Sequence, residues 1–219
     1  MFWIYSLGAS SYGVIGNAAS DKPILATNKM RKLIFFMHTS LDGFVAGLNG
    51  EMNWINVNEE LFDFVATMTE KADTALYGRV TYEMMQSYWP TAGEQPNASK
   101  HDKEHSAWYN NVSKVVLSRT MSEKGLTNTK VIGDQLADNI CKLKKQDGKN
   151  ILIFGSPTAS YSLLYQGLID EFWLFINPIL LGQGNPLYKG ASETTPLKLI
   201  ETKPFSSGVI ALHYATQRT

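Results

Sequence analysis

Cysteine is nearly missing from this sequence: among 219 residues there is one, Cys141. A lone thiol closes no intrachain disulfide, and no His/Cys spacing suits a zinc site, so no metal is expected. Cys141 falls in a segment that reads as helix and is expected to act as a small buried hydrophobe. A reducing, cytoplasmic setting fits this cysteine usage. An excess of either charge is also missing. Lys and Arg number 20, Asp and Glu number 20, and the formal net charge is zero. No general field therefore draws the chain to nucleic acid or to an anionic membrane surface. No apolar run approaches the roughly 20 residues needed to cross a bilayer. Residues Met1 to Leu7 are apolar, but the first basic residue is Lys22, unlike the charged start of a secretory leader. The chain reads as a soluble protein, with a local basic pocket for phosphate still open to it.

The 44% hydrophobic and 18% charged composition suits one globular domain of this length. Residues 1–29 are rich in Gly, Ala and Ser without strong periodicity and read as a poorly ordered extension; the domain proper is expected over 30–219. Leu33 to Met37 is a continuous apolar run, the mark of a strand buried on both faces. Asp42-Gly43 signals a turn, and Asn58-Glu59-Glu60 opens a helix with Leu61, Phe62, Val65 and Met68 on its apolar face. A strand over Thr74–Tyr77 leads to a helix from near Val80 that should stop before Pro90. The polar stretch from Thr91 to Lys103 reads as a surface loop, placing His101 and His105 in solvent. Strands follow at Lys114–Ser118, Thr129–Ile132, Ile151–Phe154 and Phe172–Ile176. Helices lie between them, from Gly133-Asp134 to Lys145 and from Pro157 to Gln166. Leu197–Glu201 and Val209–Tyr214 flank a loop that suits an antiparallel hairpin. The order predicts an α/β fold: a mostly parallel central sheet flanked by helices, with an antiparallel C-terminal hairpin.

Chemistry concentrates where strands run into helices. Phe154-Gly155-Ser156-Pro157-Thr158 passes from a buried strand through glycine into a helix start, with proline where its missing N–H costs nothing. Free backbone donors and the helix dipole at that end form a phosphate site; the plainer reading is a turn glycine and a capping serine. Tyr77-Gly78-Arg79-Val80-Thr81 repeats the corner, with Arg79 and Thr81 able to hold a phosphate by charge and hydroxyl. Ser118-Arg119-Thr120 is a third strand end of this kind. Ligands of open α/β sheets bind outside such carboxyl ends. His38 ends the first strand, and a hydrogen-bonded structural role outweighs a ligand role there. Trp89, Trp108 and Trp173 offer flat faces for a heterocycle, although the core is the more common destination of such rings.

These residues carry a resemblance. Thr39-Ser40-Leu41-Asp42-Gly43-Phe44-Val45-Ala46, Gly50-Glu51-Met52-Asn53-Trp54, Gly78 to Glu83, Gly155-Ser156 and Asn177 to Gly184 occur in the order found in the dihydrofolate-reductase-like superfamily. The sequence most resembles the reductase domain of the bifunctional riboflavin-pathway deaminase-reductases and its stand-alone relatives. The resemblance spans about Met30 to the C-terminus. It implies an NADPH-dependent oxidoreductase acting on a small heterocycle, similar to 5-amino-6-(5-phosphoribosylamino)uracil reductase or dihydrofolate reductase. It implies cofactor contacts from Trp54, Gly78, Arg79, Thr81, Gly155, Ser156, Pro157 and Thr158, with Ser118 and Arg119 at the adenosine 2′-phosphate. It places Ser40, Asp42, Leu180 and Gly182 beside the substrate, with Asp42, or a water it orders, delivering the proton. Related reductases are commonly dimers, and a homodimer is expected.

The chain also departs from that family. Ser156 stands where riboflavin-pathway reductases usually carry a second glycine. No arginine lies between Glu59 and Lys71, where arginines for a substrate phosphate are expected. The zinc-dependent deaminase half has no counterpart here. These departures keep a second reading open, a non-catalytic nucleotide-binding or regulatory protein on the same fold.

Overall fold

The computed structural model describes residues 30–189 and 194–217. The expected poorly ordered extension over residues 1–29 lies outside the described residues. Strand β1 (Leu33–Ser40) is buried along nearly its whole length. Ile34 and Phe36 enter one core, while Leu33, Phe35 and Met37 enter another. Helices on both sheet faces bury both sets, which is why the run shows no polar alternation. After the Asp42-Gly43 turn come β2 (Phe44–Ala46) and α1 (Glu59–Glu70). Asn58 caps α1 by accepting from the Leu61 N–H at 3.0 Å, with Glu59 and Glu60 in the first turn.

Alternation continues through β3 (Ala72–Gly78), α2 (Arg79–Ala92), α3 (Lys100–Asn111), β4 (Ser113–Leu117) and β5 (Thr129–Ile132). It then runs through α4 (Leu136–Lys144), β6 (Asn150–Phe154), α5 (Pro157–Leu164) and β7 (Glu171–Asn177). Strands alone remain at the end: β8 (Asn185–Pro186), β9 (Leu197–Pro204) and β10 (Ile210–Thr216). The main sheet has the order β5-β4-β3-β6-β1-β7-β10-β9. From β5 to β7 every pairing is parallel; β10 runs antiparallel to both β7 and β9. The apolar strand Phe172–Ile176 thus lies within the central β7, flanked on both sides. Residues of α1, α2 and α3 share one core with Phe36, Tyr77, Phe154 and Phe175. Those of α4 and α5 share the other with Leu33, Phe35, Ile151 and Ile153. Among the described residues no helix is long and apolar enough to cross a membrane.

Four local expectations are corrected. Helix α2 does not stop before Pro90 but runs through it to Ala92, which is buried. Proline in a last turn removes one backbone bond there, and the Pro90 carbonyl is taken up by the Asn110 side chain at 3.0 Å. The stretch from Thr91 to Lys103 is not one surface loop, because α3 starts at Lys100 behind a capping box of Ser99 and Asp102. His101 and His105 therefore sit on a helix and turn inward: His105 lies 4.1 Å from the Trp89 ring and 5.2 Å from Trp108. Phe62 stays out of the α1 core contact and stacks on His101 at 3.8 Å. Cys141 is exposed on α4 beside Lys142, because Ile140 takes the inward position.

Candidate active site

The carboxyl ends of β3, β4, β5 and β6 are neighbours in the sheet, and the chain leaves all four on one side. Their corners enclose a cleft of about 550 Å³. Gly78, Arg79 and Thr81 line it from the β3 corner, Ser118 and Arg119 from β4, and Ser156, Pro157 and Thr158 from β6. Eight of the ten expected cofactor positions therefore meet in one place. Gly155 lies directly behind, where an added Cβ would stand 3.6 Å from the Thr81 methyl. Trp54 is not among the lining residues; its indole N–H donates to the Glu51 carbonyl at 2.9 Å and closes its own loop.

The β6 corner has an unusual backbone. Gly155 and Ser156 are both left-handed, at φ +56° and +58°, and the Gly155 N–H donates to the Phe36 carbonyl at 3.1 Å. Pro157 follows in the first turn, where N–H groups have no intrahelical acceptor. A left-handed non-glycine residue costs on the order of 1 kcal/mol. The Ser156 side chain offsets it: its Oγ accepts from the Gly78 N–H at 2.9 Å and donates to the Phe154 carbonyl at 3.2 Å. One buried hydroxyl thus staples the β3 corner to the β6 corner. Serine in place of a second glycine has a structural reason here.

Ser40 and Asp42 form a second construction beside the cleft. The Asp42 carboxylate accepts from Ser40 Oγ at 2.6 Å and from the Leu181 and Gly182 N–H groups at 3.1 and 2.7 Å. The Ser40 hydroxyl, with the backbone donors of Gly182 and Leu181, holds this carboxyl below its ordinary value. Asp42 is accordingly an ionised acceptor that fastens the 40–43 turn to the 180–184 loop. Leu180 and Gly182 on that loop are exposed. The loop continues into β8, which pairs antiparallel with β2 and brings Asn185 to the cleft wall. Tyr161 of α5 donates to the Pro186 carbonyl and holds this small sheet against the helix.

Further lining residues were not singled out as site residues in the sequence, Gly133, Leu136, Ser162 and Asn185 among them. The Gly133-Asp134 pair after β5 was legible as a further strand-to-helix corner. An added Cβ at Gly133 would sit 3.2 Å from the Ser118 carbonyl, so glycine lets the β4 and β5 corners close on each other. Asn185 gave no local signal, since a loop far along the chain carries it in. On the α1–α3 face, the His38 ring packs against Phe175 at 5.0 Å and Phe36 at 5.7 Å, and burial lowers its pKa to about 4. Among the described residues its polar partner within hydrogen-bond range is the Asn177 amide at 3.4 Å. Among the described residues no group of three His, Cys, Asp or Glu side chains is placed to hold a metal.

This arrangement can be set beside known proteins. The profile of the RibD C-terminal domain family matches residues 31–211. The chain belongs to the RibD C-terminal domain family. It is also 35% identical over 191 residues to the Bacillus subtilis protein YyaP, covering 85% of this chain and 95% of that one. A crystal structure from Shewanella sp. PV-4, assigned to riboflavin biosynthesis, aligns with a TM-score of 0.65 at 26% identity over 85% of this chain and 99% of that one. Dihydrofolate reductase from Enterococcus faecalis, complexed with NADP(H), aligns with a TM-score of 0.57 at 14% identity over 85% and 97% of the two chains. The fold is that of dihydrofolate reductase, and the family relation is to reductases of the riboflavin-pathway kind.

Proposed function

We propose that the chain is an NADPH-dependent reductase that delivers hydride to a C=N or C=O bond of a small heterocycle. The observation that carries this reading is the convergence of four strand ends on one cleft, three of them running into helices, with the left-handed Gly155–Ser156 pair at the start of α5. Backbone N–H groups at that corner suit a pyrophosphate. Ser118 and Arg119, just past the end of β4, line the same cleft and are the residues we assign to a 2′-phosphate. Arg119 is exposed and makes no ion pair among the described residues, whereas Arg79 is already engaged by Glu83 at 2.8 Å. Arg119 is therefore the residue assigned to the extra phosphate, and Arg79 joins only if it leaves Glu83.

Bound reduced nicotinamide supplies the hydride, and the acceptor heteroatom takes a proton in the same conversion. Asp42 is held ionised, so it serves by ordering a water and by fixing the 180–184 loop over the site rather than by giving up a proton of its own. Calorimetric titration tests the reading. NADPH should bind more tightly than NADH. Arg119→Ala should weaken NADPH about tenfold, close to 1.4 kcal/mol, and change NADH binding little. Equal losses for both cofactors would remove the 2′-phosphate assignment, and no binding of either would remove the reductase reading. Binding without oxidation by pteridine, flavin-precursor or quinone-like acceptors would favour the non-catalytic alternative.

A further inference from the structure

Helix α2 begins with a charge of the unfavourable sign. The first turn of a helix carries partial positive charge from its backbone N–H groups, so carboxylates are favoured there and cations are not. Helix α1 obeys this with Glu59 and Glu60, whereas α2 starts with Arg79 and has no acid in its first turn. Glu83, one turn along, compensates: both of its carboxylate oxygens accept from Arg79 Nη1, at 2.8 and 2.9 Å. The compensation is weak. Arginine before glutamate is the less favourable order at this spacing, and the two side chains are 45% and 52% exposed. Opening an exposed pair of this kind shifts an equilibrium by about twofold.

The same arginine borders the cofactor cleft. Among the described residues that line it, Arg79 and Arg119 are the charged ones, and no carboxylate is present. Glu83 therefore acts on the cleft through Arg79. It engages Nη1 alone, while Nε and Nη2 make no hydrogen bond among the described residues, so a second anion still finds donors on this guanidinium. A phosphate held by arginine makes the stronger, charge-assisted bonds and displaces a partner worth about twofold. Glu83 then stays within one helical turn of that phosphate with its own charge unpaired, and like charges at that range repel.

We infer that Glu83 limits the affinity of the cofactor cleft by competing with the dinucleotide's phosphates for Arg79. This rests on the reductase reading and deepens it by naming what sets the strength of cofactor binding. Reduced and oxidised dinucleotide carry the same phosphates, so grip on those groups holds product as firmly as reactant and does nothing for the hydride step itself. A carboxylate that weakens this grip favours release after each turnover.

Calorimetric titration of NADPH and NADH into the full chain and three variants, Glu83→Gln, Arg79→Ala and the double substitution, tests the competition. Glutamine keeps an acceptor beside Arg79 and removes the charge. Glu83→Gln should tighten NADPH at least threefold, and Arg79→Ala alone should weaken it no more than about twofold. With Arg79→Ala already in place, Glu83→Gln should change NADPH affinity less than 1.5-fold, because the competition has lost its object. All four side-chain changes fall at exposed positions, and thermal melts check that each variant is folded. A gain confined to NADPH supports the proposal with Arg79 reaching the 2′-phosphate; an equal gain for NADH supports it with Arg79 reaching the pyrophosphate. Unchanged or weaker NADPH binding by Glu83→Gln overturns the proposal, since Glu83 would then be idle or a support for Arg79. A gain that persists alongside Arg79→Ala overturns it too, leaving only general repulsion. In both of those cases NADPH binding by the unmodified protein keeps the reductase reading standing, whereas failure of that protein to bind either dinucleotide defeats the reading itself.

Discussion

Ser156 combines a conformational cost with a polar gain, and the two separate by substitution. Alanine keeps the left-handed strain at φ +58° and deletes the hydroxyl that receives the Gly78 N–H. Glycine deletes the same hydroxyl but adopts that φ without strain. Ser156→Ala should therefore lose about 2 kcal/mol, and Ser156→Gly should be about 1 kcal/mol more stable than Ser156→Ala. Urea unfolding of the three proteins measures both differences. If the alanine and glycine variants unfold together, the left-handed corner carries no strain and the account given for it is wrong. Asp42 shows the same dependence on context at this scale. In the sequence it is a candidate acid, and its chemical state follows from three donors, two of them on a loop about 140 residues away. No local reading of Ser40-Leu41-Asp42-Gly43 contains that partner.

Elements bring the second wall to the cleft, and β8 is the one whose placement is most sharply constrained. Gly184 precedes it at φ +158°, and a Cβ there would fall 2.2 Å from the Ala46 carbonyl oxygen. Gly184→Ala should force β8 away from β2, withdraw Asn185 from the cleft wall, and weaken NADPH about tenfold with a smaller loss of stability. Calorimetry beside a thermal melt checks this; unchanged affinity would mean that the β2–β8 pair does not shape the cofactor site. The same scale explains what was readable in advance. The strands β1, β6 and β7 were legible because a sheet covered on both faces writes near-continuous apolar runs, and the corners because glycine, hydroxyl and proline residues punctuate them. Helix α3 was missed because its outward face is Lys, Asp, Glu and Asn, and polarity outweighed periodicity. Its capping box, Ser99 with Asp102, was the available signal. With α3 went the inward placement of His101 and His105.

Over the whole molecule, the cost of building an aromatic wall from imidazoles should show in the pH dependence of stability. Burial holds His38 at about 4 and His105 at about 3 in the folded chain, against an ordinary value near 6.5. A lowered folded value means that the unfolded chain binds more protons once the pH drops below about 6.5. Stability should then be flat above that point and fall continuously toward pH 4, by on the order of 2 kcal/mol for each ring. Carboxyl groups held low, such as Asp42 and Glu60, release their stabilisation only below their own ordinary range near 4, so the two contributions occupy different windows. Urea midpoints at pH 7.0, 5.5 and 4.5 trace the imidazole window. Replacing both rings, His38→Gln with His105→Phe, should lower or preserve stability at pH 7 but flatten the slope between 6.5 and 4.5. An unchanged slope in that double variant would mean that the two histidines are solvated in solution and that the wall they form between α1, α3 and β6 is looser than described.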